Sequence, residues 1–413
     1  MIMQRIGNGS RRVRRSSAVA AACALTLLGA QAAVPAFATQ AEVATRIYER
    51  LAGVKPTPAQ LSAIQQAMDA ADGTGSTSTT AELAAAAYAT DPATAPTFYN
   101  VVLKNMVTPW TNRDQTVFAP LNDYTATVIG MVRDGVPFDQ VLSGDILYTV
   151  TGAGASGLPA PAINNNNHYA AAETNGVDLS TALVKTTQSG VYGLPSAATA
   201  GVITTYGGAS AFFINGTNRA MFRFTMINHM CNDMQTLMDT TRPSDRIRQD
   251  VSRSPGGDSR IFLNNCVACH SGMDPMAQAF AYYNFDVTAN QLMYTPGQVQ
   301  PKYHINSQNF PQGFVTADDS WSNRWRAGPN SVFGWSSGQP GSGNGAKSWG
   351  QEIASSQQFA SCKVQQVFQT VCFRLPQSSN DQSVAKQALS DFQGSNNNLK
   401  SVFKRVVTAC AGN

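Results

Sequence analysis

The sequence has little charge. Only 13% of its 413 residues are Asp, Glu, Lys or Arg, well below the ~25% of typical soluble proteins. The hydrophobic fraction is 43%, which is enough for a packed core and excludes a disordered polyelectrolyte. Five arginines in the first 38 residues supply the whole positive excess, because the rest of the chain has 24 basic and 25 acidic residues. A nucleic-acid-binding protein, which needs a basic surface, is therefore not expected.

The sequence also lacks the motifs of the common enzyme classes. It contains no G-x-S-x-G, no H-E-x-x-H, no P-loop and no dinucleotide-binding fingerprint. Histidine is scarce, with His168, His229, His270 and His304 as the only four. A Ser-His-Asp triad therefore has few possible members.

Long hydrophobic runs are missing as well. No window after residue 38 approaches the ~20 apolar residues that cross a bilayer, so we expect no membrane span in the mature chain. Residues 1–38 have the three parts of a secretory signal peptide: arginines at 11–15, an apolar stretch at 18–28 and a small-x-small site, Ala36-Phe37-Ala38, before Thr39. The apolar stretch is too short for a retained anchor. We therefore expect a bacterial protein exported to the periplasm or beyond.

Helix signals dominate the chain outside two loop-rich regions. Thr57-Pro58-Ala59-Gln60 combines a capping box with a proline at the first helical position, and Thr79 with Glu82 repeats the capping pattern. Near the end of the chain, Ser379 and Gln382 predict the cap of the second helix in a hairpin. These signals predict a mainly α fold.

The most informative motif is Cys266-Val267-Ala268-Cys269-His270. Its two thiols match the two vinyl groups on one edge of a haem, and the adjacent histidine can bind the iron as the proximal ligand. The motif predicts one covalent haem c, attached through Cys266 and Cys269, with His270 as the iron ligand. Covalent attachment takes place outside the cytoplasm, which agrees with the expected export.

Three other uses of the motif are less favoured. A thioredoxin-like C-x-x-C needs a preceding strand and a βαβ setting, but a Pro255-Gly256-Gly257 loop precedes the motif. A zinc site needs further Cys or His ligands nearby, and the neighbouring sequence has none. A plain disulfide leaves His270 without a role.

The sixth iron ligand stays open. Met273 and Met276 follow the motif too closely to reach the opposite face of the haem. The remaining candidates are a vacant position or one of five residues: His229, Met226, Met230, Met293 and His304. A strong sixth ligand indicates an electron carrier, whereas an open position can bind peroxide or a gas.

Two further groups have a functional and an ordinary interpretation. Aromatic residues after the motif either wall the haem or belong to the core: Phe280, Tyr282, Tyr283 and Phe285. Three arginines either neutralise haem propionates or are solvated surface residues: Arg260, Arg324 and Arg326. Three tryptophans in the later loop-rich region predict that it is packed: Trp321, Trp325 and Trp335.

The remaining cysteines predict disulfides. Cys23 leaves with the signal peptide, and Cys231, Cys362, Cys372 and Cys410 make an even number in an oxidising compartment. Cys362 and Cys372 lie on one predicted helix, about 15 Å apart, which is too far to bridge. Of the other two connectivities we favour Cys362 with Cys410 and Cys231 with Cys372.

Residues 265–275 (NCVACHSGMDP), followed by 281–286 (AYYNFD), resemble the haem segment of planctomycete-type c cytochromes, in which CxxCHxxMDP precedes an aromatic-Asn-Phe-Asp element. Residues 50–58 are similar to the opening of that family, 123–145 to its N-terminal helical domain, and 359–362 with the following hairpin to its C-terminal module. The resemblance spans about residues 46–413 and implies an exported, mainly α, mono-haem protein. A long Gly/Asn-rich middle and a Trp-containing insert depart from the family pattern.

These observations predict a c-type cytochrome that passes single electrons to an unidentified redox partner protein. The alternatives are a haem enzyme, such as a peroxidase or a substrate oxidase with an open distal site, and an envelope protein with a structural haem. The expected organisation is a signal peptide (1–38), an N-terminal helical domain (39–150), a loop-rich connection (151–208), a haem c-binding domain (209–297), a loop-rich Trp-containing insert (298–350) and a C-terminal helical module (351–413).

Overall fold

Helices form most of the structure, which confirms the mainly α fold class. The structure is a computed structural model that describes residues 38–113, 121–305, 307 and 310–412. Except for Ala38, the expected signal peptide lies outside the described residues, which belong to one compact unit. None of the helices in the described ranges is long and apolar enough to cross a membrane.

The N-terminal part is a group of helices whose caps follow the sequence. They are α1 (Gln40–Ala52), α2 (Pro58–Asp72), α3 (Thr79–Tyr88), α4 (Lys104–Val107) and α5 (Asp123–Asp134). Thr57 and Gln60 form the expected reciprocal capping box at the start of α2. The expected cap of α3 is wrong by one residue, because the Ser78 hydroxyl accepts the hydrogen bond from the Ala81 amide. Glu82 therefore lies in the first turn of α3 without a capping role.

The predicted loop-rich connection, residues 151–208, contains several short elements. This region and its flanks hold β1 (Leu147–Val150), α6 (Asn167–Thr174), α7 (Leu179–Ala182), β2 (Leu183–Thr186), α8 (Gln188–Tyr192) and α9 (Tyr206–Phe212). The two strands pair antiparallel, with Leu147 opposite Thr186. Polar residues that indicate loops in the sequence cap these short helices: Asp178, Thr187 and Thr205 each accept a backbone hydrogen bond in the first turn.

The next part carries the Cys-x-x-Cys-His motif. Its elements are α10 (Arg219–Met230), α11 (Ser259–Ile261), α12 (Val267–Ala277), β3 (Tyr283–Asp286) and β4 (Gln291–Tyr294). The insert that follows contains β5 (Ser320–Ser322) and β6 (Ser342–Asn344), which pair antiparallel. Trp321 and Trp325 are buried, and Trp335 donates its indole N–H to the Trp325 carbonyl at 2.9 Å. The prediction that the insert is packed is confirmed.

The C-terminal part consists of α13 (Gly345–Ala354), α14 (Gln357–Cys372), α15 (Ser379–Gly394) and α16 (Leu399–Ala411). The expected cap of α15 is also wrong by one residue. Ser378 and Asp381 form its capping box, not Ser379 and Gln382. The helix therefore begins one residue earlier than the pattern predicts, at Ser379.

The last helix packs against the first ones. α16 contacts α1 and α3, and the rings of Phe403 and Phe98 meet edge to face at 4.9 Å. All the predicted segments from residue 39 onward contribute side chains to one continuous hydrophobic core. The two ends of the chain therefore depend on each other for burial.

The favoured disulfide pairing is wrong. The structure joins Cys231 to Cys362, with Cα atoms 5.3 Å apart, and Cys372 to Cys410, with Cα atoms 5.8 Å apart. α10 packs on α14, so Cys231 at the end of α10 meets Cys362 in the first half of α14. Cys372 ends α14 and lies beside Cys410 near the end of α16. The exclusion of a Cys362–Cys372 bridge within one helix was correct.

Candidate functional site

The Cys-x-x-Cys-His motif lies where the helix geometry changes. Residues Phe262–Cys266 form a short π-helical segment, and α12 begins at the next residue. Segments of this kind are frequent at functional sites. Cys266 and Cys269 are free thiols, and both are partly exposed. Their spacing places them close to His270 on the helix surface, where a bound group is accessible.

One ring nitrogen of His270 is already engaged. Its Nδ1 lies 3.1 Å from Oδ1 of Asp274, one helical turn further along α12. An ionised carboxylate only accepts hydrogen bonds, so Nδ1 carries the proton. Nε2 has no hydrogen-bond partner among the described residues, and 20% of the His270 side chain is exposed. The lone pair of Nε2 is therefore available to a metal ion.

Asp274 is fully buried and held from two other parts of the chain. Arg219 of α10 donates from Nε to Oδ1 at 2.7 Å and from Nη2 to Oδ2 at 2.8 Å. The Arg248 amide donates to Oδ2 at 3.2 Å, and its guanidinium lies 4.0 Å from Oδ1. Arg219 also binds Asp250 through two hydrogen bonds. The carboxylate on His270 is thus fixed in position and orientation.

The charges around Asp274 determine its ionisation. Burial opposes the charged form, but the positive charges of Arg219 and Arg248 and the hydrogen bond from His270 outweigh it and hold the pKa of Asp274 well below its ordinary value. Burial lowers the pKa of Arg248, whose Nε and Nη1 atoms are buried without a hydrogen-bond partner. The cluster therefore keeps a negative charge against His270, balanced by the two arginines and accompanied by the carboxylate of Asp250.

A small hydrophobic cluster packs against the first two residues of the motif. Ile247, Val251 and Phe262 are buried together, and Cys266 and Val267 pack against them. This cluster is separate from the main core. The turn that bears the first thiol therefore has a hydrophobic base of its own, built partly by a loop that precedes α11.

Exposed apolar and cationic groups flank the thiols. Ile261 and Leu263 leave 40% and 58% of their surfaces exposed. Arg253 places its guanidinium over the rings of Phe262 and Phe310, and burial lowers its pKa to about 10. Within the described ranges Arg253 has no carboxylate partner at ion-pair distance. Nothing in the local sequence pattern distinguishes Arg253 from a surface arginine.

The residues present fit a covalent haem better than a metal ion bound by the protein alone. No group of three or more Cys, His, Asp or Glu residues in the described part of the chain is arranged to hold a metal ion. A haem needs only one or two protein ligands, because the porphyrin supplies the other four nitrogens. Two free thiols beside one available imidazole nitrogen are the groups that would attach a haem c and bind its iron.

His229, the first candidate for a sixth ligand, has both ring nitrogens engaged. Nε2 lies 2.8 Å from the Tyr124 hydroxyl, and Nδ1 lies 3.3 Å from Nζ of Lys363. The ring is buried, and burial together with Lys363 holds the pKa of His229 well below its ordinary value. His229 therefore belongs to a buried polar network and not to the motif.

The other four candidates are not singled out as iron ligands either. Met226 and Met230 are fully buried in the main core, and Sδ of Met230 accepts a hydrogen bond from Ser356 at 3.4 Å. Met293 and His304 line a common cleft of about 530 Å³. Within the described residues, no hydrogen bond joins any of these four side chains to the motif. The structure thus assigns no sixth ligand from the five candidates.

The aromatic residues after the motif belong to the core. Phe280 meets Trp349 edge to face at 5.0 Å, and Tyr283 stacks on Phe213 at 5.7 Å. Phe285 is buried in the same core. The ordinary interpretation of this cluster is confirmed for these three residues, and the expectation of a haem wall is not supported.

All three candidate propionate partners are already paired with carboxylates. Arg326 binds the buried carboxylate of Glu352 at 2.7 Å. Arg324 is paired with Asp245, with one hydrogen bond of 2.9 Å. Arg260 pairs with Asp258 but stays 82% exposed beside the motif. Of the expected set, only Arg260 remains accessible near the thiols.

Comparison with known proteins adds no relative. No family model, no curated protein and no solved structure matches this chain. The chemistry of the site therefore rests on the residues described above.

Proposed function

We propose that this protein is an exported mono-haem c-type cytochrome that carries single electrons. The observation that supports the proposal best is the pair of free, partly exposed thiols of Cys266 and Cys269 next to the available Nε2 of His270. In an oxidising compartment two free cysteines three residues apart normally form a disulfide or are otherwise engaged. Thioether bonds to one haem give both sulfur atoms a partner and leave the histidine on the iron.

Each residue of the site has a distinct task in this proposal. Cys266 and Cys269 hold the cofactor at the helix surface, and His270 presents Nε2 to the iron. The bound haem supplies a one-electron ferric/ferrous couple. The protein limits the reorganisation around the iron by fixing His270 through Asp274. Because both thiols are partly exposed, a redox partner protein could approach a haem attached to them.

One observation favours a second candidate, a haem enzyme. Both ring nitrogens of His229 are engaged and Sδ of Met230 accepts a hydrogen bond, so the described residues single out no sixth ligand among the five candidates. An open sixth position binds peroxide or a gas. A peroxidase or a substrate oxidase would use such a position. The two candidates differ in the ligation of the iron, which spectroscopy reports directly.

The attachment prediction is tested with Cys269→Ala and His270→Gln. We expect Cys269→Ala to lose most covalent haem, because one thioether is missing, and to accumulate poorly without the cofactor. His270→Gln should lose the native absorption spectrum. The measurements are haem staining of denatured gels and the pyridine haemochrome spectrum of periplasmic protein.

His304→Gln is the matched control, since His304 is an exposed histidine outside the motif. It should keep covalent haem at the wild-type level. Normal haem-stained bands from Cys269→Ala, or a colourless wild type with the mass of the processed chain, would contradict the proposal. Carbon monoxide separates the two candidates: a reduced spectrum unmoved by carbon monoxide supports the carrier, and a shifted one supports the enzyme.

A further inference from the structure

We infer that Asp274 is a positioning residue that fixes the iron-binding tautomer of His270 and lowers the reduction potential of the haem. This inference rests on the proposed function. It concerns a residue that supports the ligand and does not itself touch the haem. Four observations on the Asp274 carboxylate support the inference: its position on α12, its burial, its arginine partners and its hydrogen bond with Nδ1 of His270.

The helix brings the two side chains together. His270 and Asp274 are four residues apart on α12 and therefore lie on the same face. Nδ1 and Oδ1 are 3.1 Å apart, which is within hydrogen-bond distance. The proton on Nδ1 leaves Nε2 unprotonated, with its lone pair pointing away from the carboxylate. The tautomer that binds iron is thus selected before the cofactor arrives.

Ion pairing keeps the carboxylate charged although it is buried. The Asp274 side chain is 0% exposed, and an isolated carboxylate there would be protonated. Two hydrogen bonds from Arg219 and one from the Arg248 amide supply positive charge and donors. His270 completes the set with its Nδ1–H. Each oxygen of the carboxylate therefore has two donors, and a neutral acid could not accept all of them.

The anchors come from separate parts of the fold. Arg219 lies at the start of α10, and Arg248 lies in the loop before α11, so the carboxylate is fixed to a scaffold outside its own helix. Because Arg219 also binds Asp250, its guanidinium is itself restrained. Asp274 cannot turn away from His270 without breaking this network. The hydrogen bond to Nδ1 should therefore persist when haem is bound.

A negative hydrogen-bond acceptor makes the imidazole a stronger donor. The carboxylate draws the Nδ1 proton toward itself and leaves more electron density on Nε2. A more basic axial ligand, with a negative charge behind it, stabilises ferric over ferrous iron. Removing the charge while keeping the shape of the side chain should reverse this preference.

The experiment compares Asp274→Asn with Asp250→Asn in the full-length haem-loaded protein. Asp250 is the matched control, because it binds the same Arg219 but, within the described residues, forms no hydrogen bond with His270. At a fixed ambient potential we expect Asp274→Asn to raise the ferrous/ferric ratio at least tenfold over wild type, a positive shift of 59 mV for a one-electron couple. Asp250→Asn should change the ratio less than threefold. Both are measured by spectroelectrochemical titration.

Equal shifts in the two variants would overturn the inference, because they would show a general charge effect. A wild-type measurement covers the case in which Asp274→Asn does not fold. In the NMR spectrum of ferrous wild-type protein, the Nδ1–H of His270 should be protected from exchange and show a nuclear Overhauser effect to the Asp274 side chain. A rapidly exchanging Nδ1–H without that contact would also overturn it.

The outcomes separate this inference from the proposed function. A wild type without covalent haem contradicts the function itself, before any variant is considered. A wild type with haem whose potential responds equally to both substitutions contradicts only the role of Asp274.

Discussion

At the scale of single residues, the protein buries several ionisable groups and satisfies them with local partners. Lys363 is fully buried, and its Nζ donates to the Asn228 carbonyl at 2.9 Å and to Gln366 at 2.7 Å. Burial holds the pKa of Lys363 well below its ordinary value. Asp123 accepts hydrogen bonds from the Tyr192 hydroxyl and from three backbone amides. Such groups fix the relative positions of elements that are distant in the sequence.

Glu82 differs from these groups, because burial raises its pKa to about 7 and no partner compensates for it. In the unfolded chain the pKa is near 4.5. The folded state therefore holds the proton more tightly, and this contribution to stability is fully present below pH 4.5 and lost as the pH rises through 7. Glu82→Gln cannot ionise. At pH 8 the free energy of unfolding of this variant should be about 1–2 kcal/mol higher than that of the wild type. Partial exposure of Glu82 makes this difference smaller than the full pKa shift would give.

Urea unfolding at constant ionic strength measures this difference at pH 4, 6 and 8. At pH 4 both proteins are uncharged at this position and should have the same stability, which provides the control. A variant less stable than wild type at pH 8 would show that the ionised Glu82 is favoured where it lies.

At the scale of secondary-structure elements, the close approach of α12 to the insert depends on one glycine. A Cβ atom added at Gly272 would lie 1.9 Å from Nε1 and 2.4 Å from Cε2 of Trp325. Trp325 is fully buried, so its ring has no space to retreat. Gly272 is two residues after His270, and its small size lets the helix that carries the motif rest on the indole.

Gly272→Ala should therefore destabilise the protein. Alanine is the better helix former by about 1 kcal/mol, but overpacking a buried site costs typically 1–3 kcal/mol. For an overlap this severe, against a ring that cannot move, we expect a net loss of about 2 kcal/mol in the free energy of unfolding. Circular dichroism during urea unfolding measures it.

Gly394→Ala is the matched control, because Gly394 is also helical, at the end of α15, and an added Cβ meets nothing within 4 Å. It should be neutral or slightly stabilising. A Gly272→Ala variant as stable as the control would mean that α12 and Trp325 are less closely packed than described.

At the scale of the whole molecule, two disulfides and one core hold the ends of the chain together. Cys231–Cys362 spans 131 residues and links the part of the chain that bears the Cys-x-x-Cys-His motif to the C-terminal module. Cys372–Cys410 spans 38 residues and ties α14 to α16, which itself packs on α1 and α3. One disulfide therefore closes a loop within the C-terminal module, and the other links this module to the part of the chain that bears the motif.

Removing these links should be costly. On the chain-entropy model, the loop closed by Cys372–Cys410 corresponds to about 4 kcal/mol and the loop closed by Cys231–Cys362 to about 5 kcal/mol. The Cys372→Ala/Cys410→Ala double variant should lose about 4 kcal/mol in the free energy of unfolding, measured in denaturant. A reducing agent should bring the wild type to or below the stability of the variant.

Peptide mapping under non-reducing conditions tests the pairing itself. We expect one linked peptide pair that contains Cys231 and Cys362 and another that contains Cys372 and Cys410. A linked pair that contains Cys231 and Cys372 would contradict the tertiary arrangement of α10 and α14.

The local features of the protein could be predicted from the sequence because they depend on residues a few positions apart. The Thr57–Gln60 capping box and the separation of Cys362 from Cys372 on one helix follow from helix geometry alone. The Cys-x-x-Cys-His motif is also a local feature, because its two cysteines and its histidine lie within five consecutive residues. Cap positions were misplaced by one residue at Ser78 and Ser378, where neighbouring Ser and Thr residues compete for the same role.

Tertiary structure alone decided which distant groups meet. Nothing in the sequence shows that Arg219 of α10 holds the carboxylate beside His270, or that Tyr124 and Lys363 occupy both nitrogens of His229. The same is true of the pairing of Cys231 with Cys362. The physical reason is that an amphipathic pattern specifies which face of a helix is buried, but many neighbours can cover that face. Only the packing of all the helices into one core selects among them.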